Sequence, residues 1–466
     1  MLFSSYSFLF WFLPLTLVLY FLPMLLPLPS HKRLMLQNAV LLMVSLLFYA
    51  WGEPVYVLLM VGVILADTLI GVLLPRVRHP RVLLTAAVLL HVGLLFYYKY
   101  AAFFAHVLGV SLQAPRLPLG ISFYTFQALS YVADVYRKEV PPQRNPALLG
   151  VYVALFPQLV AGPIVRYGDV AAALRQRTHS LSAVGGGIRR FAAGLCKKLL
   201  LANPMGALFA ELMAGPLSLL GIWVALLAFA FQFYFDFSGY SDMAIGLGRV
   251  FGFRFPENFR YPYIARSITD FWRRWHITLS AFFRTYVYIP LGGNRRGVFR
   301  TVCHLFAVWS LTGLWHGAAW NFLLWGVYYF LLLVAEKFLL RRLLPRLPAP
   351  LAHAGTRLAV ALGWLIFALD GSTPALSLAR LPALLGQLLG IGTSPVRVDL
   401  YTVLRHLPLL VLCAVGSTPL PKAIYRKTVL KKRRFWLRTA LPLAALLLAV
   451  IDLSDAGFNP FLYFRF

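Results

Sequence analysis

In a chain that is 60% hydrophobic and only 13% charged, the few side chains able to move protons stand out. His316 lies in Thr312-Gly-Leu-Trp-His-Gly-Ala-Ala-Trp-Asn, between two apolar stretches and with no acidic neighbour close in sequence. A neutral imidazole in apolar surroundings can take a proton from a hydroxyl at neutral pH, which is general-base chemistry. The same residue could instead be a buried histidine, hydrogen-bonded for helix packing. His276 follows Arg273, Arg274 and Trp275, with Asp270 six positions earlier. Spacings of three and four place Asp270 beside Arg273 or Arg274 on a helix, which reads as an ion-paired scaffold. The other reading has these arginines meeting a phosphate-bearing donor, because a guanidinium suits bidentate phosphate contact. Asp236 and Asp242 share a stretch with Ser238, Gly239 and Tyr240, and fit a buried hydrogen-bond network as well as a site. Pro256-Glu257-Asn258 reads as a turn that caps a helix.

Several chemistries lack their residues. The sequence has no Walker loop, no GxSxG elbow, no HExxH and no paired-carboxylate cluster, which argues against ATP-driven transport and soluble-type hydrolysis. Cys196, Cys303 and Cys413 are far apart and make no metal-ligand spacing, so packing is their expected role and no metal is expected.

The elements that must position these residues are membrane helices. A soluble chain holds roughly a quarter charged residues, twice the fraction here, and mean hydropathy is +0.74. Unbroken apolar blocks over 9–28, 34–51, 55–74 and 82–98 are each long enough to cross ~30 Å of hydrocarbon as a helix. Further spans are expected near 117–135, 147–163, 186–203, 217–235, 305–316, 319–338, 356–369, 402–419 and 438–452. The expected fold is therefore all-α, a polytopic bundle of about eleven to thirteen spans with short interfacial or re-entrant helices.

The net charge of +29 sits in short clusters between these blocks: Lys32-Arg33, 76–81, Arg341-Arg342 and 422–438. That is the pattern of cytoplasmic loops, with anionic lipid headgroups as partners, and no basic soluble domain is present to track a nucleic acid. Both termini are then expected outside, the aromatic tail 461–466 included. The first block lacks a basic n-region and a cleavage site, so it reads as a retained span. The whole of 1–466 reads as one domain: amino-terminal spans to 235, an amphipathic segment 236–300 broken by Gly and Pro, and spans from 301 onward. Such a segment cannot cross lipid as one ordinary helix, and irregular backbone at that depth needs protein or a water-filled cavity around it.

Four stretches carry a family likeness: Tyr234-Phe-Asp-Phe-Ser-Gly-Tyr-Ser-Asp-Met-Ala-Ile-Gly, Phe271-Trp-Arg-Arg-Trp-His-Ile-Thr-Leu-Ser, Tyr288-Ile-Pro-Leu-Gly-Gly-Asn-Arg and Leu314-Trp-His-Gly. Together they resemble the membrane-bound O-acyltransferase family, in the branch that acetylates alginate and peptidoglycan. The likeness extends to Leu2-Phe-Ser-Ser, Gly120-Ile-Ser-Phe-Tyr and Phe156-Pro-Gln-Leu-Val-Ala-Gly-Pro, and covers the chain to about position 335. It implies tilted helices around a central tunnel, with His316 as the invariant histidine deep inside and His276 as the second. It further implies Trp272, Arg273, Asp242 and Asn258, with Trp315 and Tyr240, lining or bracing that tunnel.

By the same likeness the donor is an activated acyl group from the cytoplasm, acetyl-CoA as a substrate and not a resident cofactor. An extracytoplasmic SGNH-type partner would complete transfer to a polysaccharide hydroxyl, and the protein would sit in a bacterial inner membrane. His316 would act as general base, or as the site of a transient acyl-imidazole. Departures occur at Arg284-Thr285-Tyr286, where relatives often have Arg-Asp-Tyr, and at Ile366-Phe-Ala-Leu, where they often have Phe-Phe-Arg-Ala. D-alanyl- or lipid-modifying transferases of the same family remain an alternative, as does a transporter in which His316 relays protons. Ion-transport folds show several charged residues within their spans, which disfavours the transporter.

Overall fold

In the computed structural model, which describes residues 1–430 and 435–455, regular structure is helical. The β-type contact among the described residues is an isolated bridge between Ser218 and Ser394. Among the described residues, eight helices are long and apolar enough to cross a bilayer: Ser7–Leu25, Ser30–Gly52, Tyr56–Leu73, Pro80–Val107, Leu219–Val250, Val298–His316, Trp320–Leu339 and Ala349–Ala368. Leu400–Gly416 and Leu420–Val429, bent by 69°, make a ninth if they form one span. The aromatic tail 461–466 and the basic positions 431–434 lie outside the described residues.

The count falls below the eleven to thirteen expected, for a physical reason. The segments expected at 117–135, 147–163 and 186–203 form the shorter helices Ile121–Tyr136, Pro146–Ala154 with Phe156–Leu159, and Leu181–Cys196. Pro157, at the start of Phe156–Leu159, cannot continue the helix before it. Positions 149 to 165 are buried throughout, so their hydrophobicity serves a protein core and not a lipid contact.

The chain divides into two compact units, Met1–Leu195 with Tyr240–Glu257 and Cys196–Gly239 with Asn258–Phe466. In the first, the outer spans bury only 17–39% of their most apolar windows and turn residues such as Leu25, Leu58, Leu65 and Leu69 outward. Its interior holds an aromatic cluster of Phe3, Phe8, Phe48 and Phe156, with Tyr240 stacked on Phe3 at 4.8 Å. Two ionisable groups that the sequence did not single out meet there. His91 Nε2 lies 2.8 Å from Asp67 Oδ1, and both residues are fully buried.

The helix Leu219–Val250, whose residues up to Gly239 belong to the second unit, is the most enclosed of the candidate spans, with 67% of its window buried. Its start is fixed by Asp399, whose carboxylate accepts the Ser218 N–H at 3.0 Å and hydroxyl at 2.7 Å, while Ser218 Oγ accepts the Gly221 N–H. A negative charge there complements the positive end of the helix dipole. The sequence placed the end of this span at 235 and irregular backbone after it. The helix instead runs on to Val250. It can do so because its polar groups face protein: Asp236 pairs with Lys198 at 2.8 Å, both buried. The break falls later, over 251–297.

Val298–His316 and Trp320–Val334 form a tight hairpin. A Cβ on Gly313 would run into the Phe322 carbonyl, and one on Gly326 into the Trp309 carbonyl, so glycine lets the two backbones touch. Gly355, on Ala349–Ala368, faces open space. Gly326→Leu should therefore lose ~1–3 kcal/mol or more of stability by overpacking, with a clear fall in melting temperature in detergent. Gly355→Leu should melt like the parent; equal melting of the two variants would refute the close packing.

Candidate active site

The broken segment is held by its caps. The five-residue helix Ile268–Trp272 starts at Ser267, whose hydroxyl accepts the Asp270 N–H at 3.0 Å. The Glu336 carboxylate accepts the N–H groups of Ile268 and Thr269 at 2.7 and 3.2 Å. Asp270 pairs with Arg274 at 2.8 Å, the i,i+4 scaffold that the spacing suggested. His276 follows in a left-handed conformation, φ 43° and ψ 53°, uncommon for a residue with a side chain. Such backbone costs ~1–3 kcal/mol and persists only where the surroundings over-determine it. Here Asn258 O accepts the Ile277 N–H at 3.0 Å, and Arg274 O accepts the Arg260 N–H at 2.9 Å.

Asn258 also fixes the histidine's protons. Its Oδ1 accepts from the Thr278 N–H at 3.3 Å and from the Thr278 hydroxyl at 2.9 Å, and it lies 3.1 Å from His276 Nδ1. An atom that receives a backbone N–H must be oxygen, so Nδ1 is the nitrogen that carries the proton. His276 Nε2 then holds a lone pair, buried and without a hydrogen-bond partner among the described residues. Burial pushes the His276 pKa down to about 3, so the ring is neutral at physiological pH. The 256–258 turn starts no helix of its own. Its asparagine instead braces the first turn of Ile277–Phe283, twenty residues on.

His316 is the last residue of Val298–His316, 4% exposed. The C-terminal end of a helix carries partial negative charge, which favours a cation formed there. The ring is enclosed by Trp315 at 5.1 Å, Trp325 at 5.0 Å and Phe367 at 5.3 Å, all nearly perpendicular to it. Phe367 is held in turn by the Asn321 side chain, which donates to its carbonyl at 3.1 Å. The Trp315 ring lies 5.8 Å from His276, so the two histidines flank one indole. Phe237 closes on His276 edge-on at 4.7 Å.

Trp272 joins this buried group, packing against Trp309 at 4.7 Å, Tyr329 at 4.9 Å and Trp325 at 5.6 Å. Arg273 does not: it is exposed. Asp242 and Tyr240 belong to the other unit. There Arg190 meets Asp242 at 2.8 Å and grips both oxygens of Glu257, while Tyr240 is hydrogen-bonded to the backbone of Ala161. Sequence reasoning missed Trp309, Trp325 and Tyr329, and noted Phe367 only as part of a departure. The i,i+4 spacing of Trp325 and Tyr329 on one helix face was the available signal. A small apolar pocket in the same unit, lined by Phe209, Met213, Phe229 and Leu365 among others, includes none of the candidate residues.

Two imidazoles, one with a defined free lone pair, set in an aromatic enclosure, can pass a proton out of contact with bulk water. That is what attack of a hydroxyl on an activated acyl group requires. Comparison with known proteins bears on the same chemistry. The family model described as MBOAT, membrane-bound O-acyltransferase, matches residues 4–346. The chain is 37% identical to "Probable alginate O-acetylase" of Pseudomonas putida, over the full length of both. It is 42% identical to the protein of the same name from Pseudomonas aeruginosa, over 79% of this chain and 72% of the relative. With "Peptidoglycan O-acetyltransferase" of Helicobacter pylori it shares 33% identity over 70% of this chain and 68% of that one. Enclosed histidines, a bundle of apolar helices and these relatives agree: the chain is an integral membrane acyltransferase and belongs to the membrane-bound O-acyltransferase family.

Proposed function

We propose that the protein takes an acetyl group from a thioester donor on the cytoplasmic side, acetyl-CoA, and passes it to an acceptor reached from outside, for O-acetylation of an exported polysaccharide. The observation that carries this reading is the pair of histidines about Trp315, with His316 enclosed and His276 locked by Asn258. His316 is the general base: it takes the proton of the attacking hydroxyl, and the helix end favours the imidazolium so formed. His276, whose Nε2 lone pair is fixed, orients or relays that proton. Donor and acceptor reach the site by displacement of the rings that close on it. The names of the relatives support an acetyl group and an envelope glycan as acceptor.

In this reading the loops bearing Lys32-Arg33 and 76–81 lie in the cytoplasm against anionic lipid and both termini lie outside, in a bacterial inner membrane; the clustering of basic residues between apolar blocks supports it. Final transfer to the polymer then falls to an extracytoplasmic SGNH-type partner. Trp272, Trp315 and Asn258 brace the reacting groups.

His316→Ala should express and insert normally yet lose at least ~10²–10⁴-fold in acetyl transfer, measured as glycan-bound acetate in cells and thiol release from acetyl-CoA in proteoliposomes. Retained transfer would rule out the catalytic role. Thiol release from a D-alanyl or long-chain thioester, but not from acetyl-CoA, would rule out the acetyl donor.

His276 also makes stability depend on pH. Folding keeps its ring neutral down to about pH 3, whereas the unfolded chain takes up a proton below about 6.5. Its contribution is therefore complete above pH 6.5 and declines as the pH falls from there towards 3, by ~1.4 kcal/mol per unit. His276→Asn should flatten the acid side of the melting-temperature profile in detergent; parallel profiles would contradict the buried neutral ring.

A further inference from the structure

Three hydrogen-bond donors without a partner among the described residues belong to one buried aromatic cluster, whose Trp325 borders His316. The indole N–H groups of Trp272 and Trp325 and the hydroxyl of Tyr329 are buried and have no hydrogen-bond partner among the described residues. Their rings pack mutually edge to face: Trp272 to Trp325 at 5.6 Å, Trp272 to Tyr329 at 4.9 Å, and Trp325 to Tyr329 at 5.1 Å. Trp325 is also the ring that stands 5.0 Å from His316. The Tyr329 hydroxyl lies against Gly363, where a Cβ would meet it.

Buried polar groups in folded proteins are nearly always satisfied, and an isolated exception costs stability. Three in one aromatic cluster, beside the histidine that bears the chemistry, point to a partner that arrives with the reaction. An indole N–H only donates, so that partner must be an acceptor. A neighbouring tyrosine shows the usual arrangement: the Tyr328 hydroxyl donates to the Ala359 carbonyl at 2.7 Å.

We propose that Trp272, Trp325 and Tyr329 form the oxyanion hole of this enzyme, holding the carbonyl oxygen of the acyl thioester as negative charge develops on it. The inference rests on the acyl-transfer reading above. The attacking hydroxyl oxygen bonds to the carbonyl carbon while its proton passes to the His316 imidazole. The carbonyl electron pair moves onto oxygen, where the three donors receive it. The carbonyl then re-forms, the carbon–sulfur bond breaks, and the departing thiolate takes the proton from the imidazolium. Donors set in advance, in an enclosure without bulk water, need no reorganisation as the charge forms.

The test uses the full-length protein in proteoliposomes with acetyl-CoA, reading thiol release alongside melting temperature. Tyr329→Phe keeps the ring and deletes only the donor. The expected result is a kcat lower by roughly 10²–10³-fold, KM for acetyl-CoA little changed, and a melting temperature equal to or above the parent's. Trp325→Phe and Trp272→Phe should lower kcat in the same way. Tyr328→Phe, which breaks a satisfied bond, should do the opposite: a lower melting temperature with kcat retained. Near-parental kcat in Tyr329→Phe and Trp325→Phe, beside an inactive His316→Ala, would overturn this proposal alone. A wild-type protein that releases no thiol would overturn the acyl-transfer reading and the oxyanion hole with it.

Discussion

Hydrocarbon offers no hydrogen bonds, and the architecture follows from that constraint. Each polar group carried below the headgroups must find its partner within the chain. Helices satisfy the backbone, and the side chains are handled in pairs. Asp67 meets His91, Lys198 meets Asp236, and Asp399 caps the start of Leu219–Val250. These groups are buried and matched, so their presence in apolar surroundings is compatible with stable helices. Glycine handles the converse problem. Between two apolar helices lipid gives little drive to associate, so Gly313 and Gly326 let backbones approach until dispersion alone holds the hairpin.

Buried side-chain atoms without a partner among the described residues occur in both units, and the second unit's candidate site holds one group of them. A left-handed His276, a free Nε2 lone pair and three unbonded donors are each unfavourable in a resting protein. Their grouping beside His316 fits the proposed site, whose groups would be set for a reacting molecule. Strain at His276 is borne by the backbone bonds from Ile277 to Asn258 and from Arg260 to Arg274. Those bonds come from the broken segment, which a regular helix could not supply. The irregular stretch 251–297 is thus what allows an asparagine to reach a histidine eighteen residues on.

Much of the site was legible before any coordinates. His316 and His276 stand out because ionisable residues between apolar blocks are costly and conspicuous, while Trp272, Trp315 and Asn258 were marked by likeness of motif. Helical spacing offered Asp270 a partner at Arg273 or Arg274, and the pair formed is with Arg274. Arg273 was grouped with the tunnel by likeness of motif, yet the short helix ends at Trp272 and leaves it outside the buried cluster. Trp325, Tyr329 and Phe367 were not recognised, because aromatic residues in an apolar span look like any lipid-facing or core residue until their neighbours are known.

By itself the sequence determined that this is a helical membrane protein and which family its local motifs resemble. Both are properties of composition and short spacing, and solvent preference acts on them residue by residue. Tertiary structure decided the rest: which apolar segments form helices long enough to cross a membrane and which fill the interior, that the helix from Leu219 continues to Val250, and which rings enclose His316. Those outcomes depend on contacts between residues far apart in the chain. Burial against protein and burial against lipid look alike in hydropathy, and only packing tells them apart.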